Sequence, residues 1–342
     1  MRLAVDVMGG DHGPEELLQG VKLALAAEPA LQTIMVVGRE EELRPLCGRI
    51  GLRDPRLQVR HASEVLTMED KPVQGLRKKK DCSLLRAVEL IKDGKVDAVI
   101  SAGNTGGIVA AATIRLRMLE GVERPTIACI MPSKTAAWVL VDGGANPECS
   151  AETLLQFAVM GSVYSRAILG VERPRVGLLS NGTEETKGTE LTRAAVGLVR
   201  QTHLNCIGYC EGYDLFTGGV DVVVCDGFVG NIVLKTSEGL GKTFGALLRE
   251  ELTANPLRTL GALLAKGGLG RIKERMDPDT YGGAPLLGLN GTVIKIHGSA
   301  KRVALANAIR QSSRLVDRHL NETIVREIAQ ATAATAPPVV PA

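Results

Sequence analysis

The stretch Arg2-Leu-Ala-Val-Asp6-Val-Met-Gly-Gly10-Asp-His-Gly-Pro14-Glu-Glu-Leu-Leu-Gln-Gly-Val21 decides the fold class. Residues 2–7 are an apolar, β-rich run that fits a strand. A glycine-rich loop follows, and Pro14 then suits a first helical position, with Glu15 and Glu16 placed where the helix dipole favours negative charge. Leu17, Leu18, Val21, Ala24 and Leu25 recur at helical spacing. Strand, glycine loop and helix in that order are the repeating unit of a parallel α/β sheet.

The unit recurs along the chain. Further strands are expected at 33–37, 56–60, 96–101, 126–131, 137–142, 175–180, 205–211, 220–225 and 291–296. Helices are expected at 40–49, 83–93, 105–118, 150–168, 189–202, 231–252 and 299–317. The sequence shows no internal repeat and no separating linker, so residues 1–330 are read as one α/β/α catalytic domain. Residues 331–342 contain only Ala, Thr, Pro and Val and are expected to form a mobile tail.

Composition narrows the function. Of 342 residues 45% are hydrophobic and 23% charged, a globular balance, and a formal net charge of +3 is too even for bulk nucleic-acid binding. No apolar run reaches the roughly 18 residues of a membrane span, and the stretch Met1–Asp6 meets the charge of Asp6 too early for a secretory signal. Seven cysteines without a Cys-x-x-Cys pair suit a reducing compartment, so a cytoplasmic protein is expected. His203, Cys206 and Cys210 approach metal spacing but fall on an expected strand, and neither a metal nor another cofactor is expected. The 39 glycines exceed the about 24 of average usage.

That surplus collects in six loops that follow strands: Asp6–His12, Ser101–Gly107, Asp142–Asn146, Ser180–Gly188, Asp226–Asn231 and His297–Ser299. In open α/β sheets ligands bind outside the carboxyl ends of strands. Glycine lets a backbone approach a ligand, and free N–H groups at a helix start favour an anion. Provided the strands share one sheet direction, the loops describe an anion-binding cleft for phosphate or a diphosphate. Candidate contacts are Asp6, Gly9, Gly10, Asp11, His12, Asn104, Thr105, Gly106, Asp142, Asn146, Gly182, Thr183, Asp226, Gly227 and His297. Asp11 and His12 either touch phosphate or hold their loop.

Familiar nucleotide signatures are missing. The Gly9-to-Gly13 loop is not G-x-G-x-x-G, and Gly241-Lys242-Thr243 lacks the upstream glycine of a P-loop and reads as helix interior. There is no G-x-S-x-G elbow. Cys149, near an expected helix start, is either a low-pKa thiol or a small packed residue. Lys187 and Asn231 remain as the cation and the amide donor of the cleft.

Taken in order, the blocks AVDVMGGDHGP (4–14), KPVQGLRKKKDCSLLRA (71–87), SAGNTGG (101–107), VDGGAN (141–146), LLQFAVMGSVY (154–164), GTEETKGTEL (182–191), VCDGFVGNIVLKTSEG (224–239) and YGGAPLLGLNG (281–291) resemble the bacterial phosphate acyltransferase family, the PlsX family. The resemblance covers all but the tail. It implies a homodimeric three-layer α/β/α Rossmann-like sandwich, like isocitrate and isopropylmalate dehydrogenases, with a helical excursion near 240–285. It also implies transfer of a long-chain acyl group from acyl carrier protein to inorganic phosphate, for phospholipid synthesis. The family's active-site lysine and asparagine correspond to Lys187 and Asn231. Gly143 stands where the family pattern suggests Val, and Ser180-Asn181 where Asn-Ile is common.

Acyl carrier protein is acidic, so Arg77, Lys78, Lys79 and Lys80 are read either as its docking patch or as a solvated helix end. Residues 255–276 combine leucines with a local charge excess. They are read as an anionic-membrane contact, a dimer-interface helix or an acyl-chain lid. A dehydrogenase of the isopropylmalate class and a non-catalytic membrane scaffold are the competing functions.

Overall fold

The computed structural model describes residues 1–276, 278–317 and 319–336. Its strands are β1 (Arg2–Asp6), β2 (Thr33–Gly38), β3 (Leu57–His61), β4 (Ala98–Ser101), β5 (Thr126–Ile127), β6 (Cys129–Pro132), β7 (Ala137–Val141), β8 (Arg175–Leu179), β9 (Asn205–Cys210), β10 (Val222–Val224), β11 (Ala284–Leu287) and β12 (Thr292–Lys295). Its helices are α1 (Gly13–Ala27), α2 (Glu40–Arg49), α3 (Pro72–Lys78), α4 (Ser83–Lys92), α5 (Thr105–Leu116), α6 (Ala151–Tyr164), α7 (Glu190–Arg200), α8 (Gly227–Thr253), α9 (Pro256–Met276), α10 (Arg302–Asp317) and α11 (Leu320–Thr335).

Side-chain alternation along the strands explains the layering. Leu3, Val5 and Val7 pack into one core and Ala4 into another; Val139 and Val141 join the first, Trp138 and Leu140 the second. A strand apolar on both faces must be covered on both, and the chain supplies helices to do so. Residues of α1, α6, α7 and α10 fill the first core, and residues of α4 and α5 the second. The result is the expected three-layer α/β/α sandwich.

The strands do not share a single sheet. Among the described residues there are seven in the order β3-β2-β1-β4-β12-β11-β5 and five in the order β6-β7-β10-β8-β9. The expected strand at 126–131 is broken at Ala128. Its first half pairs with β11 and its second with β7, so one run crosses from sheet to sheet. Ala128 N–H donates to Pro285 O (3.0 Å), and Gly143 N–H reaches back to Ile127 O (2.9 Å). Both cores contain residues of both sheets, so packing continues across the break.

Other differences have local causes. Helix α8 starts at Gly227 rather than 231, because the Asp226 carboxylate accepts from Val229 N–H (2.8 Å) and caps it there. The tail expectation fails for 331–335, which complete α11 with Ala331 buried; residues 337–342 lie outside the described residues. The excursion is present as α8 and α9, and no residue of α9 is buried. No described helix is long and apolar enough to cross a membrane.

Candidate active site

Three of the six loops follow neighbouring strands of each sheet. Strands β1, β4 and β12 lie side by side and parallel, as do β7, β10 and β8. Each set therefore presents its loops along one carboxyl edge.

In the first set, Asp6 Oδ2 accepts from Ser101 Oγ (2.8 Å) and Oδ1 from Met8 N–H (3.2 Å). Burial pushes the Asp6 carboxyl up, against these hydrogen bonds. The same Ser101 Oγ accepts from Gly103 N–H (3.1 Å), so one buried Asp–Ser pair fixes both loops. A Cβ on Gly9 would stand 2.6 Å from Gly103 Cα, so the two backbones touch only because residue 9 is glycine. Asp11 N–H donates to Gly298 O (2.8 Å), which ties in the third loop. Gly10 is half-buried and packs near Ala102 and Gly298.

Asn104 is the N-cap of α5. Its Oδ1 accepts from Gly107 N–H (3.0 Å) and its Nδ2 donates to Met68 O (3.1 Å). The side chain is thus engaged by the chain itself, while Thr105 and Gly106 lie half-buried in the first turn. His297 is exposed, and its Nδ1 accepts from Ser299 N–H (3.2 Å). Asp11 and His12 are both exposed, and His12 makes no cap hydrogen bond to α1.

In the second set, Asp142 is fully buried. Its Oδ1 accepts from Ile127 N–H (2.9 Å) and Gly144 N–H (3.3 Å), and its Oδ2 from Ala145 N–H (3.0 Å), Asn146 N–H (2.7 Å) and Asn146 Nδ2 (2.9 Å). Asn146 Nδ2 also donates to Pro125 O (2.7 Å). This carboxylate organises the turn and has little capacity left for a ligand. Gly227 and Gly230 bring the start of α8 onto the turn; a Cβ at 230 would lie 1.8 Å from Asp142 O. That approach sets half-buried Asn231 against Gly144.

Lys187 stands in the loop after β8, next to the strand that leads to Asp226. Asn181 Oδ1 accepts from Gly188 N–H (3.0 Å) and closes that loop, and the Lys187 stem lies over Gly182, where a Cβ would come within 2.8 Å of it. The ammonium is 3.9 Å from Glu184 Oε1, both side chains substantially exposed, so it is weakly committed. Thr183 is exposed at the same loop's tip.

Cys149 is no low-pKa thiol. Burial, with Asp142 and Asp226 nearby, pushes it up to about 12. Gly241-Lys242-Thr243 lies inside α8, as the sequence reading expects. Of the basic run, Arg77, Lys78 and Lys80 are exposed, whereas Lys79 pairs with Asp70 and donates to Val65 O (2.9 Å). The sequence reading missed the positioning role of Ser101, although alternation along 98–101 would have turned it toward Asp6. It also missed Lys295, which carries no local motif.

Comparison with known proteins agrees with this architecture. A family model described as fatty acid synthesis protein matches residues 1–323. The phosphate acyltransferase of Thermoanaerobacter pseudethanolicus is 47% identical over 328 residues, covering 96% of this chain and 97% of that protein. That of Desulfitobacterium hafniense (strain DSM 10664 / DCB-2) is 45% identical over 335 residues, covering 98% and 99%. Among solved structures, a phosphotransacetylase from Streptococcus pyogenes matches with a TM-score of 0.64 at 18% identity, over 93% of this chain and 94% of its own. The EutD phosphotransacetylase from Staphylococcus aureus gives 0.61 at 19%, over 92% and 94%. The structural matches establish the fold, and with the near full-length sequence matches the chain belongs to the phosphate acyltransferase family.

Proposed function

We propose that this chain transfers a long-chain acyl group from the thioester of acyl carrier protein to inorganic phosphate. The observation that carries the reading is the second loop set, where Asn231 is held against Gly144 and the Lys187 loop follows an adjacent parallel strand. A phosphate oxygen attacks the thioester carbonyl carbon and forms a C–O bond. The tetrahedral oxyanion collapses, the C–S bond breaks, and the thiolate takes up the proton that phosphate gives up. Acyl-phosphate and free thiol are the products. Phosphate is nucleophilic and a thioester reactive, so positioning and charge stabilisation suffice. Lys187 and loop N–H groups hold phosphate, and Asn231 donates to the oxyanion. Asp6, Asp142 and Asp226 serve by fixing those loops.

Lys187→Ala and Asn231→Ala test the roles. Each is expected to lower kcat/KM by roughly a hundredfold or more with the fold intact. Folded variants that keep wild-type rates would overturn the assignment.

The partner readings rest on surface chemistry. Arg77, Lys78 and Lys80 fit an acidic carrier, and charge-reversed variants should raise KM for the protein-bound donor more than for a small thioester. An effect equal for both donors would remove the docking role. Leu257, Leu260, Leu263 and Leu264 are exposed in the first three turns of α9 with Arg258 and Lys266 near them. They are grouped there and do not run along one side of the whole helix. This patch fits an anionic membrane surface, where an apolar product would partition. Failure to co-float with anionic vesicles would remove that role and leave the patch to a dimer interface or an acyl-chain lid.

A further inference from the structure

Strand β12 ends in Lys295, level with Ser101 of β4 and opposite Ala284 of β11. Ile294 and Ile296 point into the first core and Val293 into the second, so strand alternation sends Lys295 to the second side. Cys129 lies in that core, with Val229, Val233 and Leu234 of α8 packed against it. Asn231, Lys235 and Glu238 recur at helical spacing along α8. Lys295 senses the charge of Asp11 from the first loop set and of Glu238 from α8. Alternation thus turns Lys295, from the first loop set, toward the side on which residues of α8, from the second, pack.

Its bonding is incomplete. Nζ donates to Ile296 O at 3.0 Å, and among the described residues no carboxylate forms an ion pair with it. An ammonium has three donors, so two have no partner among the described residues. The residue is half-buried, and surrounding protein pushes its pKa down while Asp11 and Glu238 oppose that shift. A cation in such a place is costly unless an anion completes it. An apolar side chain would fill the same strand end at lower cost.

We propose that Lys295 binds the phosphate substrate, as a second cation beside Lys187, through the ammonium donors left free by Ile296. The inference rests on the acyl-transfer reading and assigns to that site a residue from the other sheet. Phosphate carries between one and two negative charges near neutral pH, and a cation from each loop set would draw the two edges onto one ligand. Asn231 stays free for the thioester oxygen.

The test uses the full chain. Lys295→Met and Lys295→Arg are compared with wild type in phosphate titrations at saturating thioester, in calorimetric binding of inorganic phosphate without thioester, and in thermal unfolding. Loss of a charge-assisted hydrogen bond is expected to raise the phosphate KM and dissociation constant roughly tenfold or more in the Met variant. The KM for the acyl donor should stay within about twofold, and Arg should recover part of the loss. Phosphate affinity and KM within about twofold of wild type, with only the unfolding temperature lowered, would overturn the proposal and make Lys295 structural. If the Met variant does not fold, Lys295→Gln carries the same comparison. Wild type that binds phosphate but does not discharge the thioester would refute the acyl-transfer reading, while the binding comparison still decides the role of Lys295.

Discussion

Asn231 is held against Gly144: a Cβ added to that glycine would lie 3.3 Å from the Asn231 Cβ and 3.5 Å from its Cγ. The pair joins the turn after β7, which Asp142 fixes, to the start of α8, which Asp226 caps. The site is thus built chiefly from backbone geometry, with few side chains reaching into it.

Replacing Gly230 tests that geometry. A methyl group at 230 would meet Asp142 O at 1.8 Å, so the helix start must move. Gly230→Ala is expected to cost about 1–3 kcal/mol in urea unfolding. It should lower turnover by about a hundredfold through displacement of Asn231. Wild-type stability and rate together would show that the close approach does not matter.

Asp142 accepts from four backbone N–H groups and one side-chain amide. Asp142→Asn keeps the shape but turns an NH2 toward donors. A loss of about 2–4 kcal/mol is expected in denaturant unfolding, with no metal or substrate involved. A change smaller than about 0.5 kcal/mol would contradict this role.

Acid should weaken the contact between α1 and α10. Arg302 donates to Glu16 from Nε (2.9 Å), Nη2 (2.7 Å) and its backbone N–H (3.0 Å), and these bonds hold the carboxyl at about 2. The folded value lies below the unfolded one of about 4.3. The contribution is therefore complete above the unfolded value and is lost as pH falls through about 2. The stability difference between wild type and Arg302→Gln should shrink as pH is lowered through that window. A difference independent of pH would argue against the pair.

Cys149 should be chemically silent. With its thiol pushed up to about 12 by burial, it offers almost no thiolate at neutral pH. Mass spectrometry after incubation with the thioester should find no acyl group on it, and Cys149→Ser should keep most of the activity. An acylated Cys149 that discharges to phosphate would replace direct attack with a covalent route.

The strands were legible because β-branched runs ended repeatedly in glycine, and the six loops followed from those endings. Their division between two sheets was not legible, since strand order is set by long-range pairing with no local pattern. Strand β11 (Ala284–Leu287) escaped notice because it is short and contains Pro285, which weakens any strand pattern. The end of helix α11 reads as a tail because Ala and Thr carry little periodic signal, although Ile324, Ile328 and Ala331 bury one face. Lys187 and Asn231 stood out by their glycine surroundings. Lys295 ends an ordinary strand, and only the fold turns it toward the side where α8 packs. Asp142 and Asn104 were recognised as loop residues, but their work on backbone N–H groups became visible only with the hydrogen bonds.

Phosphate itself is the acyl acceptor in the proposed reaction. The most direct measurement follows free acyl carrier protein and acyl-phosphate together, using long-chain acyl carrier protein as donor, with and without inorganic phosphate and with neither nicotinamide nor divalent metal added. Equimolar release of thiol and acyl-phosphate, rising with phosphate concentration and stopping in its absence, is expected. Thiol release that is independent of phosphate, or that requires nicotinamide, would contradict it.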